Sequence, residues 1–124
     1  MLGRKILVVD DEDHICRVVA LKLRSAGYRV TTAADAEQAI QAAQVERPDL
    51  IITDYQMPGL SGVELCRAME DSFTPHIPSI LLTARAYDLG GRNPHPLSLK
   101  RVMSKPFSPR HLVATVRELL EEAA

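Results

Sequence analysis

Residues that can bind magnesium or phosphate follow four apolar stretches of this chain. Two adjacent carboxylates, Asp10 and Asp11, come directly after the first stretch, and Asp54 ends the second. The third stretch ends on Thr83 and the fourth runs into Lys105. Three carboxylates, a hydroxyl and an ammonium are the groups that a magnesium-assisted, phosphoryl-accepting site requires.

The chemistry follows from the charges of these groups. Three carboxylates close together repel one another, which favours a divalent cation between them, and Mg²⁺ prefers oxygen ligands. Lys105 is a natural partner for one phosphoryl oxygen, and the Thr83 hydroxyl can donate to a second. One carboxylate is then available as a nucleophile, forming an aspartyl-phosphate.

The apolar stretches have the length of buried parallel strands, and helical patterns separate them. We predict strands at residues 5–10, 28–32, 49–54, 77–83 and 101–104. We predict helices at 13–26, from a cap at 35 up to the proline at 48, at 63–69, and from a cap at 108 with proline first. Because ligands bind beyond the carboxyl ends of parallel strands, the polar residues are expected to meet at one edge of an α/β sheet.

The crossover before the fifth strand is predicted to be irregular. Gly90, Gly91, Pro94 and Pro96 crowd the segment where a fourth crossover helix would lie. Inside a helix each proline costs about 3 kcal/mol and each glycine about 1 kcal/mol. A short turn at residues 84–89 followed by irregular chain is therefore expected.

The bulk properties predict one domain over residues 1–124. The net charge of −1 provides no electrostatic footprint for nucleic acid or an anionic membrane, and no apolar segment reaches the roughly 18 residues of a membrane span. The two cysteines, Cys16 and Cys66, lie in apolar helical patterns and are expected to be buried thiols. The first residues lack the layout of a signal peptide, so we expect a cytoplasmic location.

Five motifs, in order and over nearly the whole length, resemble the receiver domains of two-component response regulators, relatives of the single-domain chemotaxis regulator. They are VVDD at 8–11, PDLIITD at 48–54, MPGLSG at 57–62, LTA at 82–84 and KPF at 105–107. The resemblance implies a flavodoxin-like, doubly wound, five-stranded parallel sheet of order 2-1-3-4-5. It also implies a Lys105–Pro106 peptide bond that is often cis.

The resemblance assigns roles at the site. Asp54 is the implied phosphoacceptor, and Thr83 and Lys105 are the implied catalytic side chains. Mg²⁺ is implied to be bound directly by Asp11 and Asp54, through water by Asp10, and by the backbone carbonyl of Gln56. Gln56 and Arg85 occupy the positions that tune hydrolysis of the phosphoryl group in this family.

The resemblance also implies partners. A histidine kinase or phosphotransfer protein supplies the phosphoryl group, and the domain catalyses only its own phosphorylation and dephosphorylation, so it is not an enzyme in the usual sense. Output is expected through contacts with a downstream protein that the sequence does not identify. No nucleic-acid or membrane contact is expected, and weak homodimerisation is left open.

One departure from the family pattern keeps an alternative open. The position that usually carries a switching aromatic ring is Val102. Together with the irregular crossover, this is compatible with a docking module that no longer uses phosphate, or with a readout through residues 84–100. A phosphohydrolase of the haloacid-dehalogenase type is disfavoured, because Gln56 stands where its second acid is needed.

Overall fold

The computed structural model describes residues 3–84 and 96–123, and these form alternating strands and helices. The strands are β1 (Lys5–Val9), β2 (Arg29–Ala33), β3 (Leu50–Asp54), β4 (Ser79–Thr83) and β5 (Leu99–Ser104). The helices of the described residues are α1 (Asp13–Ser25), α2 (Ala36–Val45), α3 (Gly62–Ser72) and α4 (Pro109–Ala123). None of these helices is long and apolar enough to cross a membrane.

The five strands form one sheet, and every pairing in it is parallel. The strand order is β2-β1-β3-β4-β5, as predicted. In the middle of the sheet Ile6 of β1 is paired with Val30 on one side and with Leu50 on the other. The carboxyl ends of all five strands therefore lie along one edge, which is where the predicted site residues follow the strands.

The sheet separates two apolar cores because successive side chains of a strand point to opposite faces. In β1, Ile6 and Val8 pack with α1 and α4, whereas Leu7 and Val9 pack with α2 and α3. β3 and β4 are buried along their whole length. This explains why the central strands have continuous apolar sequences rather than an alternating pattern.

Local sequence signals set several helix ends as predicted. The Asp35 side chain accepts a hydrogen bond of 2.8 Å from the backbone N–H of Gln38 at the start of α2. Ser108 accepts in the same way from His111, and α4 begins at Pro109. Gly27 follows α1 with a φ of 99°, a left-handed conformation that favours glycine at this position.

Some boundaries differ from the predictions. β5 begins at Leu99 rather than 101, because Leu99 pairs with Ser79 before a shift in register. β4 begins at Ser79 rather than 77, after a proline that has no N–H for the ladder. α3 extends to Ser72 rather than 69. The prediction stopped early because the polar last turn of this helix carries no apolar periodicity. The other strand limits, the end of α1 and the start of α3 agree with the predictions to within one residue, whereas α2 ends at Val45, before the proline at 48 that was predicted to end it.

The predictions for the two cysteines and for the crossover before β5 have different outcomes. Cys16 on α1 and Cys66 on α3 are buried free thiols, as predicted. The predicted irregular crossover, including Arg85 and the segment from Gly90 to Pro94, lies outside the described residues apart from its two ends.

Candidate functional site

The backbone brings four strand ends together at one edge of the sheet. Asp10 follows β1, and its N–H donates to the Ala33 carbonyl at the end of β2 over 3.1 Å. Asp54 is the last residue of β3. The N–H of Lys105 donates to the carbonyl of Thr83 over 2.9 Å, which joins the residue after β5 to the end of β4. Main-chain hydrogen bonds therefore hold the positions from which the predicted side chains project.

The Lys105 ammonium is shared between acidic side chains. Its Nζ lies 3.0 Å from Asp54 Oδ1 and 3.2 Å from Asp10 Oδ2. A third carboxylate, that of Glu12, approaches the same Nζ to 3.8 Å. Asp10 is also oriented by the backbone, because its Oδ1 accepts from the N–H of Glu12 over 2.9 Å. One cation thus neutralises part of a larger negative charge.

The acids differ in exposure. Asp10 and Asp54 are 2% and 7% exposed, whereas Asp11 is exposed to solvent. Burial raises the pKa of Asp10 and of Asp54 above the usual value of a carboxyl group, because water no longer stabilises the charged form as well. Burial alone would lower the pKa of Lys105, but its contacts with Asp54 and Asp10 outweigh that effect and raise it. The site therefore has excess negative charge in a partly desolvated place.

The donor atoms of this cluster fit a divalent cation. One carboxylate oxygen from each of Asp10, Asp11 and Asp54 can lie within 4.8 Å of the other two. These are hard oxygen ligands, and two of them belong to buried side chains, whose burial raises the pKa of Asp10 and of Asp54. Mg²⁺ is held in proteins by such carboxylates, with water and substrate phosphate completing its coordination. The cluster therefore suits Mg²⁺.

A cleft of about 250 Å³ opens beside the cluster. Asp11, Asp54 and Lys105 contribute to its wall, as do Gln56 and Thr83. All six residues predicted from the sequence are therefore brought together, with Asp10 reaching the cleft through its bond to Lys105. The cleft has room for a phosphoryl group.

Two residues of the cleft were missed by sequence reasoning. Glu12 and Ala84 line it beside the predicted side chains. The only sequence signal for Glu12 is that it follows Asp11, and charged residues are common in the loop after a strand. Ala84 directly follows Thr83, and its small side chain leaves space at the cleft.

Helix α3 packs directly against the backbone of Asp54. The N–H of Gly62 donates to the Tyr55 carbonyl over 2.8 Å. A side chain at Gly62 would overlap the main-chain oxygen of Asp54 and the side chain of Leu81. Glycine is therefore needed at the first position of α3, where the helix and strand backbones approach closely.

The family model of the response regulator receiver domain matches residues 6–117 of this chain. The chain belongs to the response regulator receiver domain family. Receiver domains are signalling modules of two-component systems rather than conventional enzymes. The predicted family is therefore confirmed, together with its fold.

Transcriptional regulatory proteins are among the known proteins whose sequences are similar to this receiver domain. The alkaline phosphatase synthesis transcriptional regulatory protein PhoP of Bacillus subtilis is 37% identical over 122 residues, which are 98% of this chain and 50% of that protein. The chain spans about half the length of the curated relatives it matches.

Two solved structures match nearly all of the receiver. The chemotaxis response regulator CheY4 of Vibrio cholerae is 32% identical, with a TM-score of 0.79, and the match covers 94% of this chain and 98% of that one. The response regulator protein TrrA of Thermotoga maritima, in complex with Mg²⁺–BeF, is 31% identical with a TM-score of 0.80 and the same coverage.

The family pattern is not complete in this receiver. Val102 lies on β5 and is half-buried, and it has no ring that could rotate between two positions. The Lys105–Pro106 peptide bond is cis, as the resemblance implies. The residues to which the resemblance assigns the chemistry therefore lie together, whereas the position to which it assigns a switching ring carries Val102.

Proposed function

We propose that this receiver accepts a phosphoryl group on Asp54 from a histidine kinase or a phosphotransfer protein. The observation that carries this proposal is the contact of 3.0 Å between Lys105 Nζ and Asp54 Oδ1, within a cluster of three carboxylates. Such an arrangement favours a reaction that adds a negatively charged group and a cation together. A structural ion pair would not need the two further acids.

Asp54 is the proposed nucleophile because it ends β3 and its carboxylate faces the cleft. A carboxylate oxygen attacks the phosphorus of the donor's phosphohistidine. The new O–P bond forms as the P–N bond breaks, and the electron pair of that bond stays on the imidazole nitrogen. The transfer therefore consumes only the phosphohistidine of the donor and the Asp54 carboxylate.

The other residues stabilise the charge of the transferred group. In this proposal the Lys105 ammonium, which contacts Asp54, moves to a phosphoryl oxygen, and the hydroxyl of Thr83, which lines the cleft, donates to a second oxygen. Asp10, Asp11 and Asp54, with the carbonyl of Gln56, would hold Mg²⁺. When bound, this ion supplies positive charge that offsets the phosphoryl oxygens.

The output and location of this receiver are also proposals. Signalling is proposed through contact with a downstream protein, and the listening partner is not assigned. The curated relative PhoP is named as a transcriptional regulatory protein, so one route for a receiver of this kind is the control of transcription. Function over residues 1–124 as a single unit, the cytoplasmic location and weak homodimerisation stay predictions.

Labelling with a small phosphodonor tests the proposed function. We expect acetyl phosphate with Mg²⁺ to add one phosphoryl group, seen by mass spectrometry of the intact protein. Asp54→Asn should abolish the adduct, whereas Asp71→Asn, which removes an exposed acid on α3, should retain it. Removal of Mg²⁺ by a chelator should prevent labelling. A wild-type protein that remains unlabelled would contradict the proposal and favour a docking module that does not use phosphate.

A further inference from the structure

Thr53 is a buried polar residue in an otherwise apolar part of β3. Leu50, Ile51 and Ile52 precede it in the strand, and all four residues are at most 1% exposed. Burial of a hydroxyl group costs free energy unless the group is hydrogen-bonded. Valine would give this position the same β-branched shape without that cost. The preference of β-branched residues for strands therefore does not explain the hydroxyl.

The Thr53 hydroxyl bonds to the main chain of the proposed phosphoacceptor. Its Oγ1 donates to the carbonyl oxygen of Asp54 over 3.0 Å. The sulfur of Met57, in the loop that follows β3, lies 3.9 Å from the same Oγ1. The carbonyl oxygen is the better acceptor and lies at the shorter distance. The hydroxyl therefore acts mainly on the peptide group that follows Asp54.

The peptide group between Asp54 and Tyr55 is held at both of its polar atoms. The Thr53 hydroxyl donates to its carbonyl oxygen. Its N–H, which belongs to Tyr55, donates to the carbonyl of Leu82 on β4 over 2.9 Å. Because a peptide group is planar, these two hydrogen bonds fix the orientation of the whole group at the point where β3 ends.

The chain beyond this peptide group leads directly to a proposed metal ligand. The carbonyl of Tyr55 accepts a hydrogen bond of 2.8 Å from the N–H of Gly62. Met57 is partly buried against the core that α2 and α3 share with the sheet. Gln56 lies between these two residues, and its carbonyl is proposed to bind Mg²⁺. The direction of that carbonyl depends on how the peptide groups before it are oriented.

We propose that Thr53 is a positioning residue for the magnesium site. Its hydroxyl fixes the peptide group after Asp54, and so orients the Asp54 carboxylate and the Gln56 carbonyl toward one ion. Removal of a hydrogen bond that orients metal ligands commonly weakens metal binding by about tenfold or more. The inference rests on the proposed function, because it takes Asp54 and Gln56 as ligands of Mg²⁺.

Removal of the hydroxyl with the side-chain shape retained tests this proposal. Titration calorimetry measures the affinity of wild type and of Thr53→Val for Mg²⁺ without a phosphodonor. We expect the dissociation constant for Mg²⁺ to rise about tenfold in Thr53→Val. In labelling by acetyl phosphate, the Mg²⁺ concentration that gives half the maximal rate should rise by a similar factor. The rate at saturating Mg²⁺ should stay within about twofold of wild type, because only the binding of the ion is weakened.

A second pair of variants isolates the hydroxyl independently of valine. Thr53→Ser and Thr53→Ala both lack the methyl group of threonine and differ from each other only in the hydroxyl. Thr53→Ser should bind Mg²⁺ as wild type does, whereas Thr53→Ala should show the loss expected for Thr53→Val. This comparison applies even where valine disturbs the packing of the strand.

Two controls separate this effect from a general loss of structure. Thr115 on α4 is 7% exposed, and its hydroxyl donates to the carbonyl of His111 over 3.0 Å. Thr115→Val therefore removes an equivalent hydrogen bond at a position outside the cleft, and the affinity for Mg²⁺ should not change. Met57→Leu removes the sulfur near Thr53 and should also leave the affinity unchanged.

The other outcomes overturn the proposal in distinguishable ways. Equal Mg²⁺ affinity in wild type, Thr53→Val and Thr53→Ala would show that the hydroxyl does not position the ligands. Weaker binding in Thr115→Val to the same extent as in Thr53→Val would assign the effect to stability. Weaker binding in Met57→Leu would show that the sulfur, rather than the Asp54 carbonyl, carries the effect. Wild type that binds Mg²⁺ but is not labelled by acetyl phosphate would contradict the proposed phosphorylation, whereas the comparison of Mg²⁺ affinities would still decide the role of Thr53.

Discussion

At the scale of single residues, the site is defined by a shortage of positive charge. Lys105 contacts Asp54 and Asp10 at 3.0 and 3.2 Å, and Glu12 lies 3.8 Å away. A single ammonium cannot neutralise all of these carboxylates, and burial of two of them weakens their solvation. The cluster is therefore prepared to gain a cation, and a phosphoryl group can take the place of one carboxylate contact of the ammonium.

The excess charge predicts a particular pH dependence when no divalent ion is bound. Burial raises the pKa of Asp54 and of Asp10, so the folded protein holds these protons more tightly than the unfolded chain. The free energy of unfolding should therefore fall as the pH rises from the unfolded value of about 3.9 through the raised folded values, and the loss is complete above them. Lys105 does not reverse this trend, because the stability from its raised pKa is fully present throughout that range.

Asp54→Asn should remove part of this loss. In a chelator, we expect the variant to melt at a higher temperature than wild type near neutral pH and to lose less stability as the pH rises. Thermal unfolding followed by circular dichroism at several pH values measures both effects. Asp71→Asn serves as the control for an exposed acid. An Asp54→Asn protein that melts below wild type at every pH would mean that the contact of Asp54 with Lys105 stabilises the fold more than the burial of the charged carboxylate destabilises it.

The sequence predicted these residues because their types are unusual at strand ends. Asp10 and Asp11 are adjacent, and Lys105 precedes a proline, so position and chemistry together distinguished them. Glu12 was not distinguishable in this way, because an exposed acid before a helix is common for electrostatic reasons alone. Its approach to Lys105 depends on the conformation of a loop, which local sequence does not determine.

At the scale of elements, α3 is placed by its first residues. Ser61 and Glu64 form a reciprocal capping box, with hydrogen bonds of 3.2 Å and 2.9 Å to each other's backbone N–H groups. Between them, Gly62 lies against the backbone of Asp54 and of the following residue. The start of α3 and the end of β3 therefore move together.

A methyl group at Gly62 should disturb both elements. We expect Gly62→Ala to lower the free energy of unfolding by about 1–3 kcal/mol, because the new Cβ overlaps backbone that cannot rotate away. Phosphorylation by acetyl phosphate should also slow, since Asp54 is displaced. Chemical denaturation measures the first effect and mass spectrometry the second.

Gly59→Ala is the matched control for Gly62→Ala. Gly59 has open space around its Cβ position but a φ of 83°, so its substitution should cost only about 1 kcal/mol of strain and leave Asp54 in place. A larger loss at Gly59 than at Gly62 would contradict the close approach of α3 and β3.

The starts of helices that have a side-chain N-cap were predicted well, and other helix boundaries were predicted less well. The caps at Asp35 and Ser108 determined where α2 and α4 begin, because a side-chain acceptor must lie just before the first turn. The last turn of α3 was missed because it is polar and has no apolar periodicity, and its residues make contacts with distant parts of the chain. There Glu70 accepts a hydrogen bond of 2.6 Å from the N–H of Ser98, a residue 28 positions away. A contact over that separation leaves no local signal.

At the scale of the whole molecule, two cores lie on the two faces of one sheet. α1 and α4 cover one face, and α2 and α3 cover the other. The central strands β1 and β3 contribute side chains to both cores, so neither core can form without the sheet. We therefore expect the two faces to unfold together.

Matched truncations in the two cores test this coupling. Leu23 on α1 and Leu65 on α3 are fully buried, and replacement of either by alanine should cost about 2–5 kcal/mol. Leu21→Ala, at a position 69% exposed, should change stability by less than about 0.5 kcal/mol. Each variant should unfold in a single transition, followed in parallel by circular dichroism and calorimetry. Two resolved transitions in Leu65→Ala alone would show that the faces are independent.

The pairing scheme leaves β2 and β5 as the outermost strands of the sheet. Each borders on a neighbour along one side only, and outermost strands with free backbone groups can recruit identical chains into continuous ribbons. Lys100 on β5 is an exposed cation, and the borders also carry two ion pairs, Arg29 with Glu46 and Arg101 with Glu118. A second copy approaching border to border would have to desolvate these charged groups, which discourages fibre growth.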